Sequence, residues 1–125
     1  MVAVDYLQLM TAARRRDQNR EQEVAGMTRG LKLLAKELRV PLVLLSQLNR
    51  APEQRRGQKP QLSDLRESGA IEQDADNVLF VHPPPEADGT CELIIAKQRN
   101  GPKTTVKVGY DGAEFRFWNL APDQG

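Results

Sequence analysis

The sequence predicts an α/β fold in which parallel strands alternate with helices and an antiparallel β-meander follows. Short apolar runs that end at polar residues, and a segment of helical periodicity between them, predict the first part. Three strand-like runs near the C-terminus, joined by short turns, predict the meander. With 125 residues the chain is expected to form a single domain, with residues 1–82 as the α/β part and residues 91–119 as the meander.

The α/β part is predicted to begin with a buried strand at residues 2–5 and to continue into a helix. From Glu21 to Leu38 apolar residues recur at gaps of three and four, which places them on one helical face, and Pro41 ends the helix. These apolar residues are Val24, Met27, Leu31, Leu34 and Leu38. Gly26 and Gly30 would each weaken the helix by roughly 1 kcal/mol relative to Ala, which predicts close packing against a neighbour.

Two more buried strands are predicted after this helix. The continuous apolar run PLVLLSQL (residues 41–48) is typical of a strand buried on both faces, and NVLFVH (residues 77–82) is predicted as another buried strand. Between these two strands Ser63 is a candidate N-cap, and Ser68 is another possible cap with a short helix after it. The polar segment at residues 11–23 is predicted to be an exposed loop that runs into the helix, and the Pro-rich segments at residues 49–61 and 83–90 are predicted to be a loop and a turn.

The meander is predicted from runs at residues 91–98, 103–110 and 113–120, joined by RNGP and by DG. In the middle run Thr104, Val106, Val108 and Tyr110 alternate with Thr105 and Lys107, the pattern of a half-exposed antiparallel strand. Trp118 is predicted to be a packing residue.

Composition excludes several classes of protein. The formal net charge is +1, so bulk charge gives no argument for nucleic-acid binding and any contact with DNA must be local. No apolar stretch approaches the ~20 residues of a membrane span, and the N-terminus has no signal-peptide pattern, so a cytoplasmic location is expected. Cys91 is the single cysteine, which fits a reducing compartment. Neither Cys91 nor His82 has a second ligand at metal spacing, so neither is assigned to a site.

Two polar residues follow the first two predicted strands. Asp5 follows an apolar strand, where a carboxylate can hold Mg²⁺ directly or through water; the alternative is a cap or turn acid. Gln47, in SQLNR, could hydrogen-bond a phosphate oxygen or a water without adding charge. The alternative for Gln47 is that it only satisfies nearby backbone groups.

Basic residues mark two further candidate sites. Lys97 and Arg99 are two apart and would share the face of a strand, where a point charge and a guanidinium fork suit a polyphosphate. An ordinary solvated strand end is the alternative. Arg66 lies near a predicted helix start, where backbone N–H groups bind phosphate well, although a capped surface loop explains the same residues.

Taken together, these stretches closely resemble the second half of the RecA-like motor domain of DnaB-type replicative DNA helicases, a P-loop NTPase fold. The resemblance extends from Val4 to about Phe117, and RecA and circadian-clock ATPases do not share the full set. It is carried by VDYLQLM (residues 4–10), LKLLAKELRVPLVLLSQLNR (31–50), DLRESGAIEQDADNVLF (64–80) and IIAKQRNG (94–101).

The resemblance implies a role for each candidate residue. Asp5 corresponds to the Walker B acid that helps position Mg²⁺ at ATP, and Gln47 to the residue that senses the γ-phosphate and relays its loss. Lys97 and Arg99 correspond to the pair inserted into the neighbouring subunit's ATP site, where they stabilise transition-state charge in trans. The RESG loop, with Arg66, Glu67 and Gly69, corresponds to the loop that grips the single-stranded DNA backbone in the central channel.

The resemblance also implies partners and a larger protein. The expected partners are single-stranded DNA, identical subunits in a hexameric ring, primase and a helicase loader. The family's P-loop, GxxxxGKS/T, its catalytic Glu and its N-terminal helical domain are absent from these 125 residues. The chain is therefore expected to be a C-terminal segment of a hexameric, ATP-dependent replicative helicase. The alternatives are a degenerate, non-enzymatic helicase-like module that binds DNA or a helicase ring, and a different RecA-fold ATPase.

We predict that the 125-residue chain by itself neither binds ATP tightly nor hydrolyses it. Without P-loop amides and the P-loop lysine, the β- and γ-phosphates lose their main cradle, and Asp5 repels a triphosphate unless Mg²⁺ bridges them. Calorimetry or titration with a fluorescent nucleotide measures this, with the complete helicase as the positive control. A micromolar dissociation constant for the chain alone would contradict the prediction.

Overall fold

The computed structural model of the chain describes residues 1–10, 19–49, 59–65, 68–83 and 89–120. It divides into two compact units, the first made of Met1–Ala51 and Gln61–Ala75, the second of Pro52–Pro60 and Asp76–Gly125. Most of the predicted loop residues lie outside the described residues, namely 11–18, 50–58 and 84–88.

The first unit contains the predicted parallel strands and helices. Its elements are β1 (Val2–Val4), α1 (Arg20–Leu38), β2 (Leu42–Leu44) and α2 (Ser68–Asp74), with 3₁₀ turns at Leu7–Leu9 and Leu62–Asp64. β1 and β2 pair in parallel, with Val2 opposite Leu42 and Val4 opposite Leu44, and they form a two-stranded sheet among the described residues. The predicted alternation of parallel strands and helices is therefore confirmed.

Both ends of helix α1 are capped by local interactions. The Asn19 side chain accepts a hydrogen bond from the Gln22 N–H and the Gln22 side chain accepts from the Asn19 N–H, which is a capping box. At the other end Arg39 adopts the left-handed conformation with φ 52°, and Pro41 follows two residues later. The Thr28 hydroxyl donates to Asp74 at 2.8 Å, which ties α1 to α2.

Three details of the first unit differ from the sequence predictions. No described atom lies within 4 Å of a Cβ placed on Gly26 or Gly30, so the predicted close packing at these glycines is wrong. Neither β1 nor β2 is buried as predicted, because Val2 is 38% exposed and Val43 is 45% exposed. Ser63 lies inside a 3₁₀ turn whose N-cap is Gln61, since the Gln61 N–H donates to the Asp64 carboxylate.

The second unit is a four-stranded antiparallel sheet in the order β3-β4-β5-β6. The strands are β3 (Asn77–His82), β4 (Thr90–Gln98), β5 (Thr104–Asp111) and β6 (Arg116–Trp118). The predicted meander is confirmed, and it gains a strand at its start. Residues 77–82 were assigned to the α/β part, but they pair antiparallel with β4. The side chains of this strand alternate in burial: Val78 and Phe80 are buried, whereas Leu79 and Val81 are exposed.

Trp118 packs on the backbone of β5, as predicted for a packing residue. It lies opposite Gly109, and the indole occupies the space that a Cβ on Gly109 would need. The next pair along the strands, Tyr110 and Phe117, brings two rings to a centroid separation of 4.7 Å. A glycine at position 109 therefore sets how closely β6 can seat its aromatic side chain against β5.

Candidate functional site

Asp5 and Gln47 lie at the same edge of the parallel pair because both follow the carboxyl ends of their strands. The pairing runs one residue beyond the strands: the Leu45 N–H donates to the Val4 carbonyl at 3.0 Å, and the Leu7 N–H donates to the Leu45 carbonyl at 2.9 Å. The Asp5–Tyr6 peptide bond is cis. Asp5 and Gln47 are both exposed, so their polar groups can meet a ligand at this edge.

The Gln8 side chain joins the segment after β1 to the segment after β2. Its Nε2 donates to the Ser46 hydroxyl at 3.0 Å and to the Gln47 carbonyl at 3.3 Å. Its Oε1 accepts from the Gln47 N–H at 3.2 Å. Both backbone polar groups of Gln47 are therefore hydrogen-bonded to one amide.

The first residue of α1 holds the segment that carries Gln8. Arg20 donates to the Gln8 carbonyl at 3.2 Å and to the Met10 carbonyl at 3.3 Å. The same guanidinium forms an ion pair with Glu23 at 2.9 Å, where the Glu23 side chain is 2% exposed and that of Arg20 is 30% exposed. A buried carboxylate thus fixes the guanidinium, and the guanidinium fixes the backbone after Asp5.

A divalent cation at this edge would depend mainly on Asp5. Among the described residues, no three His, Cys, Asp or Glu side chains are grouped as they would be in an all-protein metal site. Mg²⁺ needs no such cage, since it keeps several waters and binds through one or two carboxylates together with substrate phosphates. One exposed carboxylate at the sheet edge fits that mode of binding.

The segment after Gln47 is paired with the segment that leads to residue 66. Leu48 forms an antiparallel bridge with Leu65, and the Asn49 N–H donates to the Asp64 carbonyl at 2.9 Å. Arg66 and Glu67 lie outside the described residues. Gly69 is described and is exposed in α2, and a Cβ placed on it would have no described atom within 4 Å.

Lys97 and Arg99 lie in the second unit, at the β4–β5 hairpin. Lys97 is half-buried near the end of β4, and Arg99 is in the turn after it. The register shifts between them and the rest of the strand, since Val78 pairs with Lys97 but Leu79 pairs with Ile95. The prediction that Lys97 and Arg99 share the face of a strand is therefore wrong, because β4 ends at Gln98 and Arg99 lies in the turn that follows.

Arg99 is held by Asp76, the last acid of the IEQDAD stretch. The Arg99 N–H donates to the Asp76 carbonyl at 2.9 Å, and the guanidinium Nε pairs with the carboxylate at 2.7 Å. Both side chains are about half exposed, 58% and 49%, so the ion pair contributes little to stability, about 0–1 kcal/mol. Its effect is to orient the guanidinium.

Cys91 has no part in either group of residues. Its side chain is fully buried in the second unit, and burial raises the pKa of the thiol, with a smaller contribution from the charge of Glu92. The thiol is therefore protonated at neutral pH and serves as a core residue.

Sequence reasoning missed three residues that organise these sites: Gln8, Arg20 and Asp76. Gln8 and Asp76 stand inside stretches that carried the resemblance, but their contacts join segments far apart in the chain. No periodicity or spacing signals such a contact. Arg20 stands in the polar segment at residues 11–23, and no pattern in the sequence indicates its ion pair with buried Glu23.

Comparison with known proteins assigns the family. Residues 1–119 match the family model of the DnaB-like helicase C terminal domain, and the chain therefore belongs to that family. It is 56% identical over 129 residues to the replicative DNA helicase DnaB of Leifsonia xyli subsp. xyli, and the alignment covers 98% of this chain and 28% of that protein. It is 54% identical over 127 residues to DnaB of Mycobacterium leprae, with 97% and 21% covered.

Two solved structures share the fold. A DnaB-like replicative helicase, described with its interactions with primase, superposes with a TM-score of 0.86 at 41% identity, over 96% of this chain and 30% of that one. The second structure is an ATPase domain, and it gives a TM-score of 0.87 at 41% identity, over 96% of this chain and 44% of that one. These neighbours confirm the predicted RecA-like fold class. This chain spans less than half the length of each of these relatives.

We predict that Arg20→Ala lowers the free energy of unfolding of the first unit by about 3 kcal/mol, because it removes the guanidinium that pairs with the buried Glu23 carboxylate. Urea unfolding of the chain measures the loss. Adding Glu23→Gln to Arg20→Ala removes the buried charge and should recover part of it. Equal stability of wild type and Arg20→Ala would contradict the prediction.

Proposed function

We propose that this chain is the C-terminal segment of a hexameric, ATP-dependent replicative DNA helicase that translocates on single-stranded DNA and unwinds the duplex at the fork. The observation that carries the proposal is the family match over residues 1–119, together with Asp5 and Gln47 at one edge of the parallel strands. ATP hydrolysis belongs to the complete protein, and the isolated segment is inactive. No helix in the described part of the chain is long and apolar enough to cross a membrane.

At the nucleotide, Asp5 and Gln47 have different tasks. Asp5 would hold Mg²⁺ through its carboxylate, directly or through water, and a cation held there would supply neutralising charge at the phosphates of ATP. Gln47 donates a hydrogen bond from its side-chain amide to the γ-phosphate and loses that bond when the phosphate leaves. A neutral amide suits this task because it responds to the phosphate without repelling or trapping it by charge.

Lys97 and Arg99 act on the ATP bound by the adjacent subunit. Cations placed at the transferring phosphoryl group stabilise the charge that develops in the transition state. The ion pair with Asp76 supports this role for Arg99, because it holds an exposed guanidinium in one orientation at a hairpin turn. Lys97 supplies a point charge beside it.

Single-stranded DNA is bound by the RESG segment, with Arg66 pairing with a backbone phosphate, Glu67 shaping the loop, and Gly69, in the first turn of α2, leaving room for the DNA backbone to approach. The pairing of Leu48 with Leu65 supports a link between the two sites, because it joins the segment after Gln47 to the residue before Arg66. Loss of the γ-phosphate at Gln47 would then shift the DNA loop. Primase and a helicase loader are proposed as partners of the complete ring in the cytoplasm.

The trans role of Arg99 is tested by mixing subunits of the complete helicase. Arg99→Ala should lower ATPase kcat at least about a hundredfold, as expected for a charge that acts in the transition state. Asp5→Ala should inactivate its own site. In rings mixed at equal ratio, about a quarter of the interfaces combine an intact Asp5 with an intact Arg99 from the neighbour, so ATPase activity should return.

If Arg99 acts within its own subunit, no subunit of the mixed rings contains both intact residues, and activity stays at the level of the single variants. Rings of each variant that are combined without subunit exchange serve as the control. Unchanged kcat in Arg99→Ala rings would contradict the proposed role altogether.

The DNA-binding role is tested with two glycine variants of the complete helicase. Gly69→Ala should fold with equal or greater stability, because position 69 is helical, has open space, and Ala is favoured over Gly by up to about 1 kcal/mol. We expect it to weaken single-stranded DNA binding, measured by fluorescence anisotropy. Gly26→Ala in α1 makes the same change at a helical position outside the RESG segment, where a Cβ likewise has no described atom within 4 Å, and should bind DNA as wild type does. Equal affinities for both variants would contradict the role of Gly69.

A further inference from the structure

We propose that Gln8 is a positioning residue for Gln47, and that its amide sets the γ-phosphate response of the complete helicase. The inference rests on the proposed role of Gln47 at the nucleotide and extends it to a residue outside the proposed catalytic and binding set. The supporting observation is a set of three hydrogen bonds from one side chain to the two residues Ser46 and Gln47.

The geometry uses every polar group of the Gln8 amide. The Nε2 group has two hydrogens, and it donates to the Ser46 hydroxyl at 3.0 Å and to the Gln47 carbonyl at 3.3 Å. The Oε1 atom accepts from the Gln47 N–H at 3.2 Å. A side-chain amide can replace a strand in this way, because it presents one donor and one acceptor to the backbone of a single residue.

This arrangement matters because Gln47 follows the last ladder bonds of β2. The regular pairing between β1 and β2 ends at the Leu7 N–H and the Leu45 carbonyl. Beyond that point the Gln8 amide continues the connection to Ser46 and Gln47. The Gln47 side chain is exposed, so its starting position is set by its backbone, and that backbone is held by Gln8.

Gln8 is itself held in place from α1. Arg20 donates to the Gln8 carbonyl at 3.2 Å, and the buried Glu23 carboxylate fixes the Arg20 guanidinium. Arg20 therefore holds the backbone of Gln8, while Ser46 and Gln47 hydrogen-bond its side-chain amide. Gln8 thus joins the backbone of Gln47 to the segment after Asp5 through one hydrogen-bond network.

No other side chain of similar size reproduces the three bonds. A glutamate at position 8 can accept from the Gln47 N–H but cannot donate to the Gln47 carbonyl, which it would repel. A methionine has nearly the same length and fills the same space without donating a hydrogen bond. Gln8→Met therefore removes the hydrogen bonds and keeps the packing, whereas Gln8→Glu removes the donor and keeps the acceptor.

The test is steady-state ATPase kinetics of the complete helicase. Gln8→Met removes all three hydrogen bonds and Gln8→Glu removes the two donated ones. Each variant should lower kcat about tenfold, since each lost hydrogen bond makes only a modest contribution to positioning, while KM for ATP and ring assembly stay close to wild type. Val108→Ala, a truncation in the core of the second unit, controls for a general loss of stability and should leave kcat near wild type. A wild-type kcat in Gln8→Met would overturn the proposal.

A double-variant cycle distinguishes this inference from the proposed function. If Gln8 acts through Gln47, then Gln8→Met should have little further effect on kcat in a Gln47→Ala background. Full additivity of the two losses would overturn the proposal. If Gln47→Ala alone leaves kcat unchanged, the proposed role of Gln47 fails. If Gln47→Ala lowers kcat and Gln8→Met does not, only the inference about Gln8 fails.

Discussion

The parallel pairing of β1 with β2 is the constraint on which the candidate nucleotide site depends. Parallel strands place their carboxyl ends at one edge of a sheet, and Val4 lies opposite Leu44, so the residues that follow them emerge together. Asp5 and Gln47 lie in distant parts of the chain, yet this register alone brings them to the same edge. A shift of one residue would turn one of the two side chains to the other face.

The two strands are short and form few backbone hydrogen bonds, so polar side chains supply further hydrogen bonds at this edge. Each strand has three residues and several of their side chains are exposed, so apolar burial at the strands is limited. The Gln8 amide and the Arg20 guanidinium supply hydrogen bonds where the ladder ends, and buried Glu23 anchors them to α1. The second unit follows the same principle, since Asp76 holds Arg99 at a turn by both its carbonyl and its carboxylate.

The sequence predicted elements well where one local signal dominated. The helical periodicity and Pro41 located α1 within one residue of its ends, and the RNGP and DG turns located the meander. Prediction failed where pairing decided the outcome. The run at residues 77–82 has the composition of a buried strand in either kind of sheet, and only its partner β4 makes it antiparallel. The helical glycines predicted a close neighbour, but no atom of the described residues lies within 4 Å of a Cβ placed on Gly26.

By itself, the sequence determined the fold class, the family and the identity of the residues proposed for the chemistry, because each of these is encoded in short local patterns. The tertiary structure alone decided what holds those residues: the Gln8 amide on Gln47, Glu23 beneath Arg20, and Asp76 on Arg99. The physical reason is that a hydrogen bond is a short-range, directional contact between whichever groups folding brings together. Spacing along a chain carries information about the face of a helix or strand, but none about which distant amide will meet it.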